Sequence, residues 1–218
     1  LVNEFDRIFV SHFGKNNHYR DIIESLVNFR MLDKNQIAQK CRIERGGRLS
    51  EYINNLEIAG LIEKYPSIVH NNTVRNCKYR IADFYLHFYL AFIYPQLKRI
   101  QNSGIKKSSI VNFLPQTKYS SWQGLAFERI CLGHRDHIAH KLGFGAIRYD
   151  AGLWYSLKKN INNAQIDLAY IRADKVISLC EIKYTNTPVC KSIITNFQKK
   201  EKVFPNKKKY TILIILRK

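Results

Sequence analysis

The sequence predicts an α+β chain: a small helical unit with a β-hairpin, then an α/β domain on a mixed central sheet. Three observations predict it. Up to residue 83, apolar residues recur at helical spacing three times, and two short strand signals follow. From residue 119 onward the pattern is a long helix, three strand-like runs, a helix and a strand. The charge also changes along the chain. Residues 1–100 hold 15 Lys+Arg against 10 Asp+Glu, and residues 101–218 hold 21 against 7.

The first helix is read over Tyr19 to Phe29, where Tyr19, Ile22, Ile23, Leu26, Val27 and Phe29 share a face. A short second helix runs from Asn35 to Cys41, with Ile37, Ala38 and Cys41 facing in. Gly46-Gly47 breaks the chain. A third helix covers about Leu49 to Ala59, and Gly60 stands where a C-cap belongs. Leu61 to Tyr65 reads as a strand, Asn71-Asn72 as a turn, and Cys77 to Ile81 as the returning strand. Three short helices and a hairpin in this order define a winged helix-turn-helix, whose third helix would enter the major groove of DNA. The candidate nucleic-acid contacts are Arg45, Arg48 and Asn54 on or beside that helix, and Arg75, Lys78 and Arg80 in the wing. Winged helices also serve as protein–protein modules, so the fold alone does not choose the partner.

Composition narrows the class. The net charge of +19 makes a polyanion the expected partner, nucleic acid ahead of an anionic membrane surface. Cys41, Cys77, Cys131, Cys180 and Cys190 are odd in number and show no C-x-x-C spacing. That argues against a disulfide framework or a cysteine-rich zinc site and points to the cytoplasm. The aromatic run Phe84 to Leu97 is too short to span a bilayer and contains His87 and Pro95, so it reads as a buried core helix. No P-loop is present. Phe13-Gly14-Lys15-Asn16 lacks both the first glycine and the magnesium-binding hydroxyl, so this stretch of chain is not an ATPase by itself.

After a basic connector with Lys98, Arg99, Lys106 and Lys107, a helix is expected from about Trp122 to Leu142, closed by Gly143 and Gly145. Strands follow over Ile147 to Leu157, Gln165 to Ile171 and Val176 to Lys183. A helix over Cys190 to Val203 and a strand over Tyr210 to Leu216 complete the domain. Two acids lie inside apolar strands, Asp167 and Glu181, where a charge is costly unless it is compensated. Glu181 and Lys183 share a sheet face. A three-residue loop, Ala173 to Lys175, would set Asp167 directly across from Glu181. A two-residue loop would pair it with Cys180 and turn Glu181 away.

An acid followed by E-x-K across a hairpin is the pattern of the PD-(D/E)xK nucleases. Its candidate catalytic residues here are Asp167, Glu181 and Lys183, and its candidate ligands for Mg2+ or Mn2+ are Glu128, Asp167 and Glu181. Carboxylates suit a hard cation, which activates water and stabilises charge on phosphate, and the lysine adds a positive charge. The chain also resembles the C-terminal region of archaeal- and bacterial-type AAA+ ATPases that carry a winged helix and a DUF234-type nuclease-like domain. The residues behind the resemblance are Leu49-Ser50-Glu51-Tyr52-Ile53, Leu56 to Ile62, Tyr79 to Tyr89, Gly124 to Glu128, Gln165-Ile166-Asp167-Leu168 and Leu179 to Tyr184. It implies a restriction-endonuclease-like α/β domain and an upstream ATPase domain that binds ATP. On this reading residues 1–18 are the linker from that domain, 19–83 the winged helix, 84–118 a connecting helix and basic linker, and 119–218 the nuclease-like domain. Two features depart from the family: Gln165 stands where an acid is frequent, and the chain stops soon after Leu216, where relatives continue.

Other clusters read more simply. His134, His137 and His140 step by three along a helix and drift around it, so with Cys131 they cannot converge on one zinc ion. Lys199-Lys200 and Lys207-Lys208-Lys209 read as solvated lysines, with a DNA channel as the alternative. Trp122 and Trp154 read as core or rim. Three functions remain: a metal-dependent nuclease, a catalytically silent DNA-binding region, and a regulatory or assembly region of the ATPase.

Overall fold

In the computed structural model of the chain the described residues are Phe9, Ser11, Phe13, Gly14, Pro188 and the stretches 16–68, 77–98, 114–156, 164–185, 190–205 and 210–217. Arg75, Asn71, Asn72, Lys106, Lys107 and Lys207 to Lys209 lie outside them. The chain divides into two units, Leu1–Tyr65 with Cys77–Tyr119, and Pro66–Asn76 with Ser120–Lys218.

In the first unit α1 spans Asn17–Val27, and the Asn16 side chain caps it by accepting from the His18 N–H at 3.0 Å. β1 is the two-residue strand Leu32–Asp33. It is too short to leave a periodic signal, and the sequence reading passed over it. α2, Lys34–Cys41, opens with a capping box: Asp33 Oδ1 accepts from the Gln36 N–H at 2.8 Å, and Gln36 Oε1 accepts from the Asp33 N–H at 2.9 Å. α3, Gly47–Ile58, buries Leu49, Ile53 and Leu56. β2, Ile62–Pro66, and β3, Cys77–Ile81, complete a three-stranded sheet of order β1-β3-β2, with Leu32 across from Tyr79 and Asp33 across from Lys78. Ile22, Ile23, Leu26, Ile37, Leu49, Leu56 and Ile81 fill one core between helices and sheet. This order of helices and strands is a winged-helix-like fold. α4, Phe84–Phe88, runs on through a π-helical turn, Tyr89–Ile93, and a 3-10 turn, Tyr94–Gln96. Leu86, Tyr89, Leu90, Ala91 and Phe92 are buried, as expected of a core helix.

The helix expected from Trp122 to Leu142 is broken in two. α5 spans Gln116–Gly133 and α6 spans Arg135–Lys141. Gly133 carries little helical preference, and at the break His134 Nδ1 sits 2.9 Å from the Ile130 carbonyl. Gly143, at φ 82°, ends α6. The sheet that follows has the order β4 (Tyr149–Tyr155), β5 (Gln165–Arg172), β6 (Val176–Lys183) and β7 (Tyr210–Arg217). The first three strands are antiparallel, and β7 runs parallel to β6 after α7, Lys191–Val203. A parallel return needs such a crossover.

Both sheet faces are covered, so β5 and β6 are almost wholly buried. On one face Ala169, Ile177 and Leu179 pack with Trp154, Phe197 and Phe204. On the other, the Tyr170 hydroxyl donates to the Arg135 carbonyl at 2.8 Å, and its ring meets Phe144 and Tyr149. Ile68 belongs to this unit: its N–H donates to the Leu153 carbonyl at 3.0 Å, and its side chain packs beside Trp154. No helix among the described residues is long and apolar enough to cross a membrane.

Candidate active site at the open end of the β5–β6 hairpin

The hairpin loop decides the site. Ile171 pairs with Ile177 and Leu168 with Cys180, which leaves the three-residue loop Ala173 to Lys175. Lys175 takes the left-handed conformation at φ 67°, the usual third position of such a loop. Asp174 holds the turn, accepting from the Val176 N–H at 3.3 Å and pairing with Arg172 at 2.5 Å. The odd loop length is the alternative that aligns Asp167 with Glu181.

A bulge re-aims Asp167. Against β4, Ala169 pairs with Gly152 but Ile166 pairs with Trp154, so Asp167 and Leu168 together oppose Leu153. The bulge explains why Ile166 and Ala169, three residues apart, share one core cluster. The β5–β6 pairing also ends here. Beyond Leu168 and Cys180 the start of β5 follows β4, while the end of β6 follows β7 through Glu181–Ile215, Ile182–Leu216 and Lys183–Arg217. In the opening between them Asp167 Oδ2 accepts from the Ile182 backbone N–H at 3.0 Å.

Asp167 is 3% exposed and Glu181 4%. Lys183 Nζ lies 2.8 Å from Glu181 Oε1, and Lys200 Nζ lies 2.7 Å from each Glu181 oxygen. Burial by itself would lower the Lys183 pKa. Its hydrogen bond to Glu181 and the negative charges of Glu181, Asp167 and Glu128 outweigh that and raise it. The same acids act on the thiols behind them. Burial first, then Glu128 and Asp167, push Cys131 to about 11, and burial with Asp167 pushes Cys180 to about 12. Gln123 and Phe127 of α5 approach Tyr184 just past β6, with a 3.5 Å hydrogen bond and rings 5.7 Å apart.

Asp167, Glu181 and Lys183 are thus brought together. Glu128 is close enough to act on Lys183 and Cys131 by charge. Among the described residues, though, no three His, Cys, Asp or Glu side chains gather closely enough to hold a metal ion, so the three-carboxylate set is not assembled. Lys200 is the site residue that the sequence reading missed. It follows Phe197 by three and precedes Phe204 by four, both buried, so its side chain reaches toward the sheet. That spacing was the available signal. His134, His137 and His140 are all exposed, and Trp154 is core.

In the first unit Arg45, Arg48 and Asn54 are exposed, with the acid Glu51 exposed between the last two. Of the wing cations, Arg80 differs from expectation. Arg80 is buried: it donates to Glu63 at 2.7 Å and to the Tyr65 hydroxyl, and it lies over the Tyr65 ring at 3.9 Å. It serves the sheet and cannot reach a phosphate. Lys78 is half-buried across from Asp33. Burial and Arg30 lower its pKa, and Asp33 opposes the shift. Arg75 lies outside the described residues.

No protein-family model matches the chain, and no curated protein matches it. Among solved structures, a mutant of S. aureus MepR overlaps 49% of this chain and 80% of its own at 18% identity, with a TM-score of 0.33. So loose an overlap bears no weight. The winged-helix-like description rests on the element order and strand pairing of the chain itself.

Proposed function

We propose that the second unit is a restriction-endonuclease-like domain that hydrolyses phosphodiesters with Mg2+ or Mn2+, in a DNA-interacting region of an AAA+ ATPase-family protein. The observation that carries this reading is the opening just past the Leu168–Cys180 pair, where Asp167 accepts from the Ile182 N–H and Lys183 pairs with the Glu181 carboxylate. The order helix, three antiparallel strands, helix and parallel strand supports it, and so does the excess of basic residues in this half.

The donor set suits the cation. Asp167 and Glu181 are hard oxygen ligands, and Mg2+ often takes only one or two carboxylates, completing its shell with water and substrate phosphate. Bound there, the ion would supply Lewis acidity and an activated water. The protein's own contribution follows from its charges. Asp167 is oriented by the Ile182 amide. Lys183, with its raised pKa, stays cationic at neutral pH. It therefore acts as a charge stabiliser and water-orienting donor, not as a general base. Arg48 and Asn54 on α3, with Arg45 just before it, are the groove-facing candidates of the first unit. ATP binding belongs to the upstream domain that the resemblance implies.

A second reading has its own observation. Both Glu181 oxygens are engaged by lysines, which suits a silent site in a DNA-binding or assembly region. Nicking of supercoiled and single-stranded DNA with Mg2+ or Mn2+ separates the two. The first reading expects cutting that Lys183→Ala lowers at least about a hundredfold, within the range for lost charge stabilisation. No metal-dependent cutting by the folded protein would leave the second.

A further inference from the structure

The Lys200 ammonium is equidistant, at 2.7 Å, from both oxygens of Glu181. A chelated cation sits on a carboxylate in the same way. Lys200 is held there by α7, whose Phe197 is fixed in the core against Ala169, Ile177 and Leu179. The ammoniums of Lys183 and Lys200 already meet the Glu181 carboxylate without a metal, with Asp167 and Glu128 adding negative charge around Lys183. A divalent ion entering with both ammoniums in place would crowd three cations onto the Glu181 carboxylate in a largely buried pocket, which is disfavoured. Lys183 extends from the paired end of β6 and meets Glu181 Oε1 at 2.8 Å. Lys200 reaches in from a helix on a long side chain that is 26% exposed, so it has a path outward.

Resting on the metal-site reading above, we infer that Lys200 is a built-in occupant of the cation seat: it fills the site when metal is absent, and divalent cation must displace it from Glu181. Such a lysine keeps the buried carboxylate paired in the empty protein and weakens metal affinity by competition.

The test is calorimetric titration of Mn2+ into the 218-residue chain and into Lys200→Met, Lys200→Gln, Lys200→Arg and Asp167→Asn. The neutral variants should bind Mn2+ about ten- to a hundredfold more tightly than the parent, the range expected for removing a charged hydrogen-bonded competitor. Lys200→Arg, which keeps the charge, should bind as weakly as the parent. If Lys200→Met does not fold, Lys200→Gln, which retains a donor for Glu181, decides. Equal affinity in parent and neutral variants, with Asp167→Asn abolishing binding, would overturn the role of Lys200 and leave the metal site standing. Absence of Mn2+ binding from every variant would remove the metal reading and the inference with it.

Discussion

Two ammoniums meet Glu181 in a nearly dry place, and a backbone amide meets Asp167. Burial first, with the Asp167 charge adding to it, keeps the nearby thiols protonated. Cys180, pushed to about 12 by burial and Asp167, and Cys131, pushed to about 11 by burial, Glu128 and Asp167, remain protonated at neutral pH. Cys190 differs: the Ser192 hydroxyl and the Ile193 amide lower its pKa, and it is exposed. Iodoacetamide at pH 7.5 should therefore label Cys190 first and leave Cys131 and Cys180 intact until urea unfolds the chain; peptide mass spectrometry reads the order. The sign for stability follows. The native pKa of Cys180 lies above its ordinary value of 9.0, so its contribution is complete below pH 9 and is lost as pH rises toward 12. Asp167, Glu181 and Lys183 were legible in the sequence because a charge within an apolar strand stands out. Lys200 was not, because Lys199-Lys200-Glu201-Lys202 reads as a solvated run until Phe197 and Phe204 are known to point inward.

At the scale of elements, local sequence chemistry fixes where helices begin. The Asp33–Gln36 capping box starts α2, and Asp33 also pairs across from Lys78 in the small sheet. Asp33→Ala should cost about 1 kcal/mol in urea unfolding, with little change in the dependence on denaturant. Asp33→Ser, which keeps the cap, should recover most of that loss. Strands β3 and β6 and helices α1, α3 and α7 were readable from spacing to within about two residues. β1 was not, since two residues carry no period and exist as a strand only because β3 lies beside them. The break between α5 and α6 was hidden because the apolar pattern continues past Gly133. The bulge at Asp167–Leu168 was hidden too: it is set by β4, distant in sequence, and nothing in β5 announces it.

At the scale of the molecule, a basic chain combines a winged-helix-like unit with a mixed sheet whose central hairpin opens onto an acid–lysine cluster. The alternation of elements and the charge asymmetry were legible in the sequence. Sequence left the hairpin register open between two loop lengths, and the fold resolves it in favour of the one that aligns the acids. Among the wing cations Arg80 was overread, because its cross-strand partners Glu63 and Tyr65 claim it only once the sheet forms. We propose that Asp167 and Glu181 form a divalent-cation site. Isothermal titration of Mg2+ into the chain and into Asp167→Asn tests it most directly. The account predicts saturable binding that the substitution weakens at least about tenfold. A folded parent chain that binds no Mg2+, or binds it equally well after the substitution, would contradict it.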